Sequence, residues 1–187
     1  MTPANLTLDL QLVIFDCDGV LVDSEVISNE VLARSLTAEG LPTTLAQARR
    51  KYQRLLLTDV VSPAQAKLGR ELPEDWLERY EQDRAAAFHR ELRPVPGAAE
   101  AVERISVAGL AVCVASRGKV TKTRLTLGLT GLRDLFHAGA LFSAWSVPHG
   151  KPAPDLFLHA AAAMTSRHRD VQSLRTLPPG SPPRCRP

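Results

Sequence analysis

An α/β fold, a Rossmann-like doubly wound parallel sheet carrying an inserted helical cap, is predicted by three features of the sequence. Short apolar runs recur at 10–15, 110–116 and 139–144, the first of them rich in β-branched and aromatic residues. Helix-period stretches lie between and after them, and the charged interval that follows the first run reads as helix throughout. Strands buried on both faces of a parallel sheet read as continuous apolar runs, and alternation with helices argues an open, doubly wound core.

The first run, LQLVIF, is broken only by Gln11 and ends in a turn at Asp16. From Ser24 the period changes: Ile27, Val31, Leu32 and Leu36 fall on one helical face, and Gly40 is a stop signal. Residues 44–91 continue as helical segments broken at Pro63 and Pro73, with Trp76, Tyr80 and Phe88 as a packing stripe. Pro94, Pro96 and Gly97 punctuate the return to the core. A helix over AAEAVERISV follows, ended by Gly109, then LAVCVAS as the second strand. A helix at 119–128 leads to GALFSA, the third strand, and Pro152 and Pro154 open a last helix through Met164. The domain boundaries expected from this are a core of 1–23 with 94–164, a cap of 24–93, and a tail of 165–187.

Composition narrows the classes of function. The 187 residues are 44% hydrophobic and 23% charged, the balance of a globular chain with a sizeable core. The formal charge of +3 is confined to the tail, where Arg167, Arg169, Arg175, Arg184 and Arg186 face one acid, Asp170. Residues 1–164 then hold 18 basic and 19 acidic residues, so no nucleic-acid surface is expected. No apolar run approaches the roughly 20 residues of a membrane span, and MTPANLTLDL lacks the pattern of a signal peptide. Three cysteines without paired spacing suit a reducing cytoplasm. Cys17 and Cys113 sit in apolar strands as small core residues, and neither has an arginine six positions on, as a thiol phosphatase loop would. His89, His137, His149, His159 and His168 show no metal-ligand spacing.

The chemistry concentrates in FDCDGVLVDSE, residues 15–25. Ligands of open α/β sheets bind beyond the carboxyl ends of the strands, where Asp16 and Asp18 fall. Residues two apart can face one site while Cys17 points elsewhere. One carboxylate can then attack an electrophile while the other moves a proton. Two such anions call for a cation, and magnesium suits oxygen ligands. Gly19 would let the backbone approach a ligand closely. The plainer alternative is that the two aspartates only open a turn.

The same stretch resembles the first motif of the haloacid dehalogenase-like hydrolases, and in particular their β-phosphoglucomutase and small sugar phosphatase branch. VCVASRGK is similar to the second motif at Ser116, and HGKPAPDLF to the third at Lys151. The resemblance spans 8–164 and implies a magnesium-dependent phosphatase or phosphomutase acting on a small phosphorylated metabolite. Asp16 would be the nucleophile and Asp18 the proton donor and base. The Asp16 carboxylate and Asp18 carbonyl would hold Mg2+, Ser116 and the Arg117 amide the phosphate, and Lys151 would neutralise the charge. Ser116 could also cap a helix, and Lys151 could be a solvated charge. Arg54 stands where the cap of the family often has glycine.

The fourth motif of the family, an acidic pair after a further strand, has no counterpart in VQSLRTLPPG. Residues 165–187 hold five of the 14 prolines and are expected to be a disordered or out-of-frame tail. The core sheet would then be incomplete there, with the strand over Leu12–Phe15 on an unpaired edge prone to self-association. Two functions follow: an impaired phosphatase, or a non-catalytic remnant that keeps a phosphate pocket.

Overall fold

The computed structural model describes residues 10–52, 55 and 57–175, with side chains as far as residue 166. Three parallel strands, β1 (Leu12–Phe15), β2 (Ala111–Ser116) and β3 (Leu141–Ser143), form a sheet in the order β1-β2-β3. Leu12 pairs with Ala111 and Phe15 with Val114, while Ser116 pairs with Ser143. This register brings the carboxyl ends of all three strands to one side, with Asp16 directly after β1. Val112 to Ser116 are buried in the central strand, as the unbroken apolar run requires. Among the described residues no strand pairs with the other side of β1.

Helices α5 (Ala98–Val107), α6 (Val120–Leu129) and α7 (Asp155–Arg175) pack against the sheet. Helices α1 (Glu25–Ala38), α2 (Leu45–Tyr52), α3 (Leu57–Leu68) and α4 (Trp76–Glu91) form the inserted cap, in which α1 packs on α2 and α4. The chain leaves and re-enters the core side by side: Asp23 N–H donates to the Arg93 carbonyl at 3.0 Å, and Val95 N–H to the Leu21 carbonyl at 2.9 Å.

Ile27, Val31, Leu32 and Leu36 are all buried, as their helical spacing predicts. The helix ends where Gly40 adopts φ +90°, and Leu41 N–H reaches back to the Leu36 carbonyl at 2.9 Å. Leu36 is fully buried, so its truncation to alanine costs about 2–5 kcal/mol. Trp76, Tyr80 and Phe88 are the buried stripe of α4.

Two elements depart from the sequence reading. Pro63 does not break the insert but lies inside α3. The carbonyl it leaves without a partner belongs to Asp59, in the exposed first turn, where solvent serves it. Helix α7 does not end at Met164 but runs on to Arg175. Apolar periodicity fades after Met164, yet no glycine or proline interrupts 155–175, and loss of periodicity alone does not stop a helix. The remainder of the expected tail, 176–187, lies outside the described residues, as does Arg54.

Candidate active site

Asp16 stands one residue beyond β1, where the ladder to β2 ends. Its Oδ1 accepts a hydrogen bond from Cys17 N–H at 2.8 Å and an ion pair from Lys151 Nζ at 3.0 Å. Oδ2 has no protein partner among the described residues, and the side chain is 44% exposed. Lys151 also donates to the Ala115 carbonyl at 2.9 Å and is only 11% exposed. It is held against the sheet rather than solvated.

The turn after Asp16 is wound around the Cys17 carbonyl, which accepts from Leu21 N–H at 2.9 Å and Val22 N–H at 3.1 Å. Gly19 has φ +75°, a conformation that L side chains rarely adopt, and it supplies the sharp corner. Gly19 is not among the residues lining the cavity. Cys17 is buried beneath it with its thiol 3.8 Å from Thr126 Oγ1. Burial, with the nearby Asp18 charge, pushes that thiol up to about 12, and burial raises Cys113 to about 11. Neither is a nucleophile near neutral pH.

Asp18 is the more enclosed carboxylate, 29% exposed. Its Oδ1 accepts from Ser24 Oγ and from the ammonium of Lys122, and its Oδ2 from Ser116 Oγ at 3.4 Å. Burial pushes this carboxyl up. The Lys122 charge and hydrogen bond, the Ser24 hydroxyl and the Arg84 charge outweigh burial and hold it below the ordinary carboxylate range. Ser116 Oγ in turn accepts from Gly118 N–H at 3.1 Å, and Ser143 Oγ donates to the Gly118 carbonyl at 2.7 Å, which fixes the loop after β2.

Asp16, Asp18, Arg117 and Lys151 line one cavity of about 530 Å³ between core and cap, and Ser116 adjoins it through Asp18. Of the residues singled out from sequence, only Gly19 stands apart. The reading missed Lys122, Ser24 and Arg84. A signal for Lys122 existed: a lysine in the first turn of α6 opposes the helix dipole, and such a placement asks for a nearby anion.

An oxygen-donor pair suits a hard cation. Asp16 and Asp18 stand together on that cavity, and magnesium commonly takes only one or two carboxylates, filling its shell with water and substrate phosphate. Among the described residues no group of three or more His, Cys, Asp or Glu could hold a metal ion. No helix among them is long and apolar enough to cross a membrane.

A parallel sheet with two carboxylates at the end of its first strand, a serine at the end of the next and a lysine closing on the first carboxylate defines a hydrolase of the haloacid dehalogenase-like family, and the chain belongs to it: the family model matches residues 10–171. That match continues past Met164, where the sequence reading ended the resemblance. The 6-phosphogluconate phosphatase of Escherichia coli is 29% identical over 156 residues, 83% of this chain and 69% of that protein. Hexitol phosphatase B of the same species is 31% identical over 154 residues, 81% of this chain and 68% of the relative. Among solved structures, a haloacid dehalogenase-like protein of unknown function from Agrobacterium tumefaciens superimposes with TM-score 0.69 at 29% identity, covering 83% of this chain and 69% of that one. A family hydrolase from Deinococcus radiodurans with bound phosphate and sodium gives 0.64 at 28% identity, covering 83% and 68%.

Proposed function

We propose that this chain hydrolyses a small phosphorylated sugar or polyol through an aspartyl-phosphate on Asp16, with magnesium as cofactor. The observation that carries the reading is the pairing of an open Asp16 oxygen with an adjacent, cation-held Asp18 at the mouth of one cavity. The relatives named as phosphatases of 6-phosphogluconate and of hexitol phosphates support the substrate class.

Asp16 Oδ2 attacks phosphorus, the P–O bond to the sugar breaks, and Asp18 gives a proton to the departing oxygen. Water then attacks the aspartyl-phosphate, Asp18 takes a proton from it, and phosphate leaves with Asp16 restored. Bound Mg2+, held by the Asp16 carboxylate and the Asp18 carbonyl, would offset the negative charge gathered there. Ser116, the Arg117 amide and Lys151 position the phosphoryl oxygens. The carboxyl of Asp18 suits the base half as it stands. For the acid half it must first take up a proton, and a phosphate dianion competing for Lys122 removes the strongest influence holding Asp18 ionised.

The test is hydrolysis of p-nitrophenyl phosphate with and without magnesium, wild type against Asp16→Asn. Turnover that survives in the variant would mean that a different group attacks phosphorus. A chain that binds vanadate yet never turns over would favour the second reading, a phosphate-binding module.

A further inference from the structure

Among the described residues the cap contributes one cation to the lining of the cavity, Arg84, and the catalytic scheme does not use it. Three lysines of the core side are committed elsewhere: Lys151 to Asp16 at 3.0 Å, Lys122 to Asp18, and Lys119 to Glu81 of α4 at 2.9 Å. Arg84 forms no ion pair within 4.0 Å among the described residues. It is half-buried, with its guanidinium 5.1 Å from the centre of the Tyr80 ring and 6.0 Å from that of Phe88.

That position is built. Trp76, Tyr80, Arg84 and Phe88 recur every four residues and share one face of α4. Trp76 stacks on Tyr80 at 6.0 Å with an interplanar angle of 16°, and the Tyr80 hydroxyl donates to the Ser28 carbonyl at 3.2 Å. An arginine laid between aromatic faces keeps its planar fork of N–H donors while losing little further rotamer freedom on binding. Ser28 and Asn29 of α1 line the cavity beside it and offer neutral partners to hydroxyl groups.

We propose that Arg84 determines specificity by binding a carboxylate at the end of the substrate remote from the phosphate, so that the preferred substrates are phosphorylated sugar acids. This rests on the phosphatase reading above. A guanidinium binds a carboxylate through two parallel hydrogen bonds. A single guanidinium matches a monoanion, and the neighbouring Lys119 is held by Glu81.

Calorimetric binding without magnesium compares 6-phosphogluconate with glucitol 6-phosphate, which differ at one end as carboxylate and hydroxymethyl. The wild-type chain binds the acid more tightly by roughly tenfold to a hundredfold, the range for a charge-assisted pair. Arg84→Met brings the ratio near one, and Arg84→Lys, which keeps the charge and loses the fork, retains part of it. A wild-type ratio near one overturns the assignment, as does a ratio that persists in folded Arg84→Met. Should that variant unfold, the wild-type ratio and Arg84→Lys decide. Tighter binding of glucose 1,6-bisphosphate than of the acid also overturns it. Magnesium-dependent phosphate release from glucitol 6-phosphate tests the reaction alone. Absent release beside an intact acid preference sinks the phosphatase and leaves Arg84 standing, and the reverse pattern does the opposite.

Discussion

The ammonium of Lys122, set in the first turn of α6, rests on Asp18 across 104 residues of sequence, and it is the strongest influence keeping that carboxyl ionised. Lys122 is 12% exposed, so water screens the pair poorly. Because Asp18 is held below its ordinary 3.8, its pairing stabilises the fold above that pH and is lost as pH falls through the folded-state value. Lys122→Met is expected to cost roughly 1–3 kcal/mol at pH 7, less than a fully buried pair because Asp18 is partly wet. Urea unfolding at pH 7 and again near pH 3 checks it: the gap between wild type and variant narrows at the lower pH. A gap independent of pH would assign the loss to packing.

Removing the Asp18 carboxylate as Asp18→Asn is expected to lower kcat by about 10²- to 10⁴-fold, the range for a positioned acid/base. Asp16→Ala is expected to abolish turnover while leaving the melting temperature close to wild type, since 44% of that side chain is exposed. Phosphate release and a thermal melt on the same preparations check both.

Lys151→Ala removes the ion pair to Asp16 and the hydrogen bond to the Ala115 carbonyl together. The expected result is a vanadate inhibition constant raised roughly tenfold or more, with a stability loss of about 1 kcal/mol from the lost structural bond. A large fall in melting temperature with unchanged vanadate inhibition would place the lysine in the scaffold alone.

Cys17 and Cys113 are expected to resist iodoacetamide at pH 8 in the native protein and to react after denaturation, because the thiolate is the reactive form and both thiols are pushed up, to about 12 and about 11. For Cys17 the sign is that of a raised group: its contribution to stability is complete below pH 9 and is lost between there and about 12. Mass spectrometry of labelled peptides reads the outcome directly.

Much of this site was legible in the sequence because its signals are local. A buried run ending in Asp-x-Asp-Gly, a serine closing the next run and a lysine before Pro152 each fix a residue at the end of a known element. Ser24 and Lys122 were not legible in the same way, since their contact with Asp18 depends on how a cap helix and a core helix start relative to the sheet. Arg84 was within reach: it falls at the four-residue interval of the stripe read as packing, and polar membership in an aromatic stripe is itself a signal. The end of the last helix was misplaced because fading periodicity was taken for a stop where no breaker stands.

The edge of β1 offers a fifth check. Leu12, Ile14 and Phe15 pack on the core and Val13 does not, so Val13→Lys places charge on the edge strand without emptying the interior. Light scattering should show less concentration-dependent association in the variant. Equal association in both would mean that the contact lies elsewhere.

The paired crossing of Leu21–Asp23 with Arg93–Val95 bears on how the chain assembles itself. β1 cannot meet β2 until the whole cap has been looped out, and such a remote pairing is slow to form. Once α1 and α4 have packed together, however, they deliver the two ends of that loop to the same place, and the search for the partner strand becomes a short one. The entropy of closing a loop grows only with the logarithm of its length. Cap helices can therefore be lengthened or exchanged at little kinetic cost, so long as the helices that flank the crossing still meet.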